Sequence, residues 1–143
     1  MTDLIKSIEY IIATPTDRTG ESWTGYEITT EKQMISVMIN NHQSCCEKFD
    51  VILLTADDKD TDALIGANVK YVGWGSKVAP ELKQTLVKHY KPDFDKYDIA
   101  YIVIDIETDS ELIQCIAYNE HNGYYPHSVK VCWNNGMQDI QEI

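Results

Sequence analysis

The amino-acid sequence predicts an α+β fold: a mostly antiparallel β-sheet of about six to eight strands with one amphipathic helix near residues 79–90. Three features predict it. Short alternating runs rich in Ile, Val and Thr recur along the chain, separated by Gly, Pro, Asn and Asp. One segment, from Ala79 to Tyr90, repeats its apolar residues at helical spacing instead. Asn122-Gly123 lies between two strand-like runs and is a strong hairpin signal, because both residues tolerate positive φ.

Taken in order, Ile8 to Thr14 is the first strand, with Ile8, Tyr10 and Ile12 on one face. Pro15 and the polar run 16–22 form a loop. Trp23 to Thr30 and Gln33 to Asn40 are two further strands joined by a short turn, and Ile35, Val37 and Ile39 share a face. Phe49 to Thr55 reads as a buried strand. Asp57 to Asp62 is acidic and leads into a short helix through Ile65, stopped by Gly66. This acidic run is not an EF-hand loop, which needs Gly and Glu where Asp62 and Asn68 stand.

Asn68 to Trp74 is a strand, and Gly73 and Gly75 beside Trp74 open room for close approach. The helix follows, with Pro80 in its first turn and Pro92 beyond its end. Ala79, Leu82, Leu86, Val87 and Tyr90 form its apolar face. Tyr97 to Glu107, Glu111 to Asn119 and Pro126 to Asn134 complete the strands, and 135–143 is an edge strand or a loose tail.

A chain of 143 residues is one domain that needs neither disulfide nor metal to fold. Met1 to Lys6 has no apolar core of a secretory signal, and no apolar run approaches a membrane span of about 20 residues. The expected compartment is therefore the cytoplasm, with Cys45, Cys46, Cys115 and Cys132 reduced. Twelve Lys and Arg against 23 Asp and Glu give a net charge of −11. Such a surface repels phosphate backbones and anionic membranes, so neither nucleic acid nor a membrane is an expected partner. Acidity serves solubility in the plainest reading. In a second reading it imitates nucleic acid and occupies a partner's basic groove.

Two segments concentrate the unusual side chains: His42-Gln43-Ser44-Cys45-Cys46-Glu47, and Asn119 to His127. If they meet, Cys46, Glu47, Asn119, His121, Asn122, Tyr124, Tyr125 and His127 line one pocket. Tyr124 or Tyr125 would stack on a planar ligand, which contributes about 1–3 kcal/mol per base. The Asn and His side chains would supply directional hydrogen bonds. The plain alternative is a hairpin whose tyrosines cap the core with bonded hydroxyls.

No cofactor is expected. Zinc could be assembled from His42, Cys45 or Cys46, His121, His127 and Cys132, but the spacing lacks a Cys-x-x-Cys or His-x-x-x-His knuckle. A thiolate at Cys45 or Cys46, with His121 or His127 as base and Glu47 or Glu120 as orienter, is a further chemical reading. Gly73-Trp74-Gly75 is too short for a phosphate-binding motif.

Together, Gly25-Tyr26-Glu27-Ile28, the Cys45-Cys46-Glu47 segment and Asn119 to Val129 resemble a family of small proteins of unknown function from bacteriophages, prophages and bacteria. That family shares an early Cys-Cys-Glu segment and a Ser/His-Asn-Gly-Tyr-Tyr segment before its last strand. The resemblance spans Gly25 to Trp133, with 75–95 as a helical insertion relative to shorter relatives. It implies a phage-type origin and carries over no reaction and no catalytic residue. Small phage proteins of this size often counter host defences, by sequestering nucleotide signals or by blocking a nuclease.

The expected function is thus non-enzymatic binding of a small polar or nucleotide-like ligand. The alternatives are an acidic inhibitor of a host nuclease or other defence protein, and a zinc- or cysteine-dependent enzyme. A homodimer is expected, because sheet edges invite pairing.

Overall fold

The computed structural model describes residues 1–12, 22–40, 48–89, 99–120 and 127–143. Nine strands are present among them: β1 (Ile5–Ile12), β2 (Trp23–Thr30), β3 (Met34–Asn40), β4 (Lys48–Leu54), β5 (Val69–Gly75), β6 (Ile99–Thr108), β7 (Leu112–Glu120), β8 (Ser128–Trp133) and β9 (Gly136–Glu142). They form two antiparallel sheets, in the orders β1-β2-β3-β8-β9 and β4-β7-β6-β5. The one α-helix among the described residues, α1 (Lys83–His89), follows a 3-10 turn at Pro80–Leu82.

This corrects the expected α+β fold of one six-to-eight-stranded sheet and an amphipathic helix over 79–90. The chain is a β-sandwich with a short helical cover. Alternation reveals which residues of a strand are buried but not what buries them. Here Ile28, Ile35, Val37, Ile39, Val129 and Val131 of the first sheet meet Val51, Ile104, Ile106, Ile113, Cys115 and Ala117 of the second. Each fully buried aliphatic side chain contributes about 1.5–3 kcal/mol.

The second sheet is covered on its other face as well. There Ile52, Leu54, Val103 and Ile116 pack against Val78, Leu82 and Leu86. β7 therefore has both faces buried and reads as a nearly continuous apolar run. The Thr85 hydroxyl donates to the Thr55 carbonyl at 2.8 Å and pins α1 to the end of β4. Val87, expected on the apolar face, is 72 % exposed, because Leu82 and Leu86 already fill the contact. Tyr90 and Thr14 lie outside the described residues.

The acidic run leads into a short helix of 3-10 type at Thr61–Leu64, capped by Asp60, and Gly66 follows it at φ +91°. Gly25 is required by its surroundings. It sits at φ +156°, and a Cβ there would lie 2.0 Å from the Val37 carbonyl oxygen. The tail is a paired strand: Asn134 and Asn135, at φ 53° and 62°, turn the chain from β8 back into β9.

Candidate functional site

One end of the sandwich collects the flanks of both motifs. Asn40, which precedes the His42–Glu47 segment, pairs with Trp23. Lys48, which follows that segment, pairs with Glu120, the residue before His121. Ile99 pairs with Glu120 from the other side, and Ile12 pairs with Thr24 beside Trp23. His127 then ties the two sheets together at this end. Its Nδ1 donates to the Asn40 carbonyl at 2.5 Å, and its ring stacks on Phe49 of β4 with centroids 4.1 Å apart. A carbonyl can only accept, so this bond places the proton on Nδ1.

Of the expected site residues, Asn119 and His127 are described. Cys46, Glu47, His121, Asn122, Tyr124 and Tyr125 lie outside the described residues, as do His42 and Cys45. Asn119 and His127 are 0 % and 3 % exposed, so neither presents a face to solvent. The Asn119 Nδ2 donates to the Ile143 carbonyl at 3.0 Å. The His127 amide donates to the same carbonyl at 2.7 Å, and the Ile143 amide returns a bond to His127 at 2.9 Å. These two side chains brace the end from within, anchoring the end of β7, the start of β8 and the last residue of the chain.

The structure adds residues that the sequence did not single out. The Tyr10 hydroxyl donates to Asp50 Oδ1 at 2.5 Å, across the gap between the edge strands β1 and β4. Tyr10 also meets Tyr26 edge-on at 5.1 Å. In register, Asp50 faces Tyr118, and Tyr118 faces Tyr101. Burial pushes the Tyr118 phenol up to about 12, helped by the charges of Asp50 and Glu120. Burial also raises Tyr26, with smaller contributions from Cys115 and Asp50. Both phenols stay protonated at neutral pH. No local signal announces this row, since Tyr10 and Asp50 meet only because the two sheets stack.

Of the described thiols, Cys115 is a poor nucleophile by position. Cys115 is fully buried between the sheets, and burial pushes its thiol up to about 12. Cys132 is half-buried on β8, opposite Ser36. Among the described residues no three His, Cys, Asp or Glu side chains cluster as metal ligands. The close approach expected at the glycines beside Trp74 is made by the protein's own side chains, while a pocket of about 290 Å³ remains beside Trp74 and Gly75. The Tyr71 ring lies over Gly73, and Asp105 and Val103 lie over Gly75. Among the described residues no helix is long and apolar enough to cross a membrane.

Comparison with curated proteins finds no match, and comparison with solved structures finds none either. A family model matches residues 3–131, which takes in β1, β2, β3 and most of β8 in the first sheet, the whole second sheet and the helical cover. The chain belongs to this family, a domain of unknown function (DUF7448).

Proposed function

We propose that this chain is a phage-type, non-enzymatic binding protein that holds a small polar or nucleotide-like ligand at the end braced by His127. One observation carries the reading: Lys48 sits opposite Glu120 while His127 bonds to Asn40. The chain thus enters and leaves both motifs at neighbouring strand ends. In this reading Tyr124 and Tyr125 stack on the ligand, and Cys46, Glu47, His121 and Asn122 give it directional contacts. Asn119 and His127 support the rim from below. Sequestering a nucleotide signal of a host defence, in the host cytoplasm, is the role that fits such a ligand.

A thermal-shift series with nucleotides and cyclic dinucleotides tests it. A ligand present at 100 times its Kd stabilises the folded state by about 2.7 kcal/mol, a readable rise in midpoint. The reading expects such a rise with at least one compound, lost on Tyr125→Ala. It fails if no compound in the series raises the midpoint.

The net charge of −11 favours a second reading, an acidic inhibitor covering the basic groove of a host nuclease or other defence protein. Such a complex would weaken steeply as salt rises, and Tyr125→Ala would leave it intact.

A further inference from the structure

The opposite end of the sandwich carries a separate pocket. It has a volume of about 380 Å³, within the range of small-molecule sites. Its walls come from Asp3, the β2–β3 turn at Lys32 and Gln33, the start of β5, and Trp133 and Asn134 at the β8–β9 turn.

A hydrogen-bond chain fixes these walls. The Asn68 side-chain oxygen accepts from the Asp3 amide at 2.8 Å. The Asp3 carboxylate accepts from the Lys32 amide at 2.9 Å and the Gln33 side-chain amide at 3.0 Å. The Gln33 Oε1 accepts from the Asn134 amide at 2.7 Å. Four distant parts of the chain are thereby held in one arrangement before any ligand arrives, which lowers the ordering cost of binding.

The charges at this end are arranged unevenly. Burial pushes the Asp3 carboxyl up, but bonds from Thr30, Gln33 and the Lys32 amide, with the Lys32 charge, hold it below the ordinary carboxylate value. Glu31 likewise accepts from the Leu4 amide at 2.8 Å and from the Thr2 hydroxyl at 3.0 Å. Both carboxylates are engaged by backbone amides and neutral side chains, so neither forms a close ion pair with a lysine ammonium among the described residues. Lys32 and Lys70 line the pocket, and neither forms an ion pair with a described residue. Two lysines against one carboxylate, Asp3, reverse at this hollow the balance of a chain with 23 acidic residues and 12 basic ones.

The flat wall is Trp133, held edge-on by Trp74 at 5.6 Å. Val69 and Val72 supply apolar surface beside it. Beyond the Leu4–Asn68 bridge, β5 is paired only with β6 among the described residues, so its outer edge keeps main-chain donors and acceptors for a ligand.

We infer that this pocket is a binding site for a small organic anion with a flat apolar body, its carboxylate or phosphate held by Lys32 and Lys70 and its ring laid against Trp133. The site is independent of the motif-bearing end.

Titration of the full chain with AMP and, separately, with benzoate, followed by ¹H–¹⁵N correlation spectra, tests it. At least one of the two should give saturable shifts at the amides of Lys70, Val72 and Asn134 and at the Trp133 indole. Lys32→Ala with Lys70→Ala, two exposed substitutions that leave the core intact, should weaken that binding at least tenfold. Adenosine, which lacks the anion, should bind at least tenfold more weakly than AMP if AMP is the probe that binds. The inference is overturned if neither probe shifts these residues, or if the double substitution binds as tightly as the parent. Shifts confined to Asn119 and His127 also overturn it, while supporting the proposed function at the other end.

Discussion

The Nδ1 of His127 donates to the carbonyl oxygen of Asn40 at 2.5 Å, so the residue that closes the tyrosine-bearing segment is fastened to the one that opens the cysteine-bearing segment. This bond is part-buried, and Phe49 backs it on the ring face. His127→Phe keeps an aromatic ring and removes the imidazole donor from the Asn40 carbonyl. Loss of one such hydrogen bond costs about 0.5–1.5 kcal/mol. The urea midpoint should fall accordingly, and an unchanged midpoint would show that the bond does not brace this end.

Gly25 meets the Val37 carbonyl oxygen so closely that a methyl group cannot fit, and its φ of +156° disfavours any L side chain. Gly25→Ala should destabilise the chain by at least about 2 kcal/mol. Gly66→Ala, with nothing within 4 Å of the added carbon, pays only for its positive φ and should cost less. Equilibrium unfolding of the two variants side by side checks the order.

Cys115 and Tyr118 set a limit at alkaline pH. The Cys115 thiol is raised by burial from 9.0 to about 12, and Tyr118 from 10.0 to about 12. Between those values the unfolded chain has released protons that the folded chain still holds. Stability is therefore full below about pH 9 and declines as pH rises toward 12, by at most about 1.4 kcal/mol per pH unit for the thiol. Urea midpoints across this window should fall less steeply in Cys115→Ala. The native thiol should resist a thiol reagent that labels the unfolded chain at once.

The last residues are structural. Ile143 exchanges two main-chain bonds with His127 and accepts a third from Asn119. Deleting Gln141–Ile143 leaves buried donors and an acceptor unpaired and should cost about 3 kcal/mol. A thermal midpoint unchanged by the deletion would contradict the role assigned to Asn119.

The contrast between β7 and β9 shows what the sequence could reveal. Along β7, Ile113, Cys115 and Ala117 face the first sheet while Ile116 and Tyr118 face the helical cover, and this double burial leaves an apolar run that reads directly as a strand. β9 is exposed at nearly every position and has no such pattern. Pairing with β8 and the Asn134-Asn135 turn hold it, and both are main-chain effects. The second sheet was hidden for a similar reason: alternation marks the buried side of each strand without naming its cover. The helix was overestimated because Val87 falls at helical spacing yet points to solvent.

At the candidate site, the motif residues were legible as chemistry and the bracing was not. His127 and Asn119 stood out as polar side chains beside the tyrosines, which suggested ligand contacts. Their observed bonds run to the main chain at Asn40 and Ile143 instead. Tyr10 and Asp50 carry no shared motif, and only the packing of one sheet on the other brings them within reach.

Disulfide trapping tests the meeting of the two motifs most directly. In a Cys45→Ser background, Cys46 is paired in turn with Asn122→Cys, Tyr124→Cys and Tyr125→Cys under mild oxidation. A bridge forms readily only where Cα atoms can come within about 7 Å. The account predicts rapid intramolecular closure in at least one of the three, abolished by Cys46→Ser. Failure of all three to close, in chains that keep the parental thermal midpoint, would contradict it.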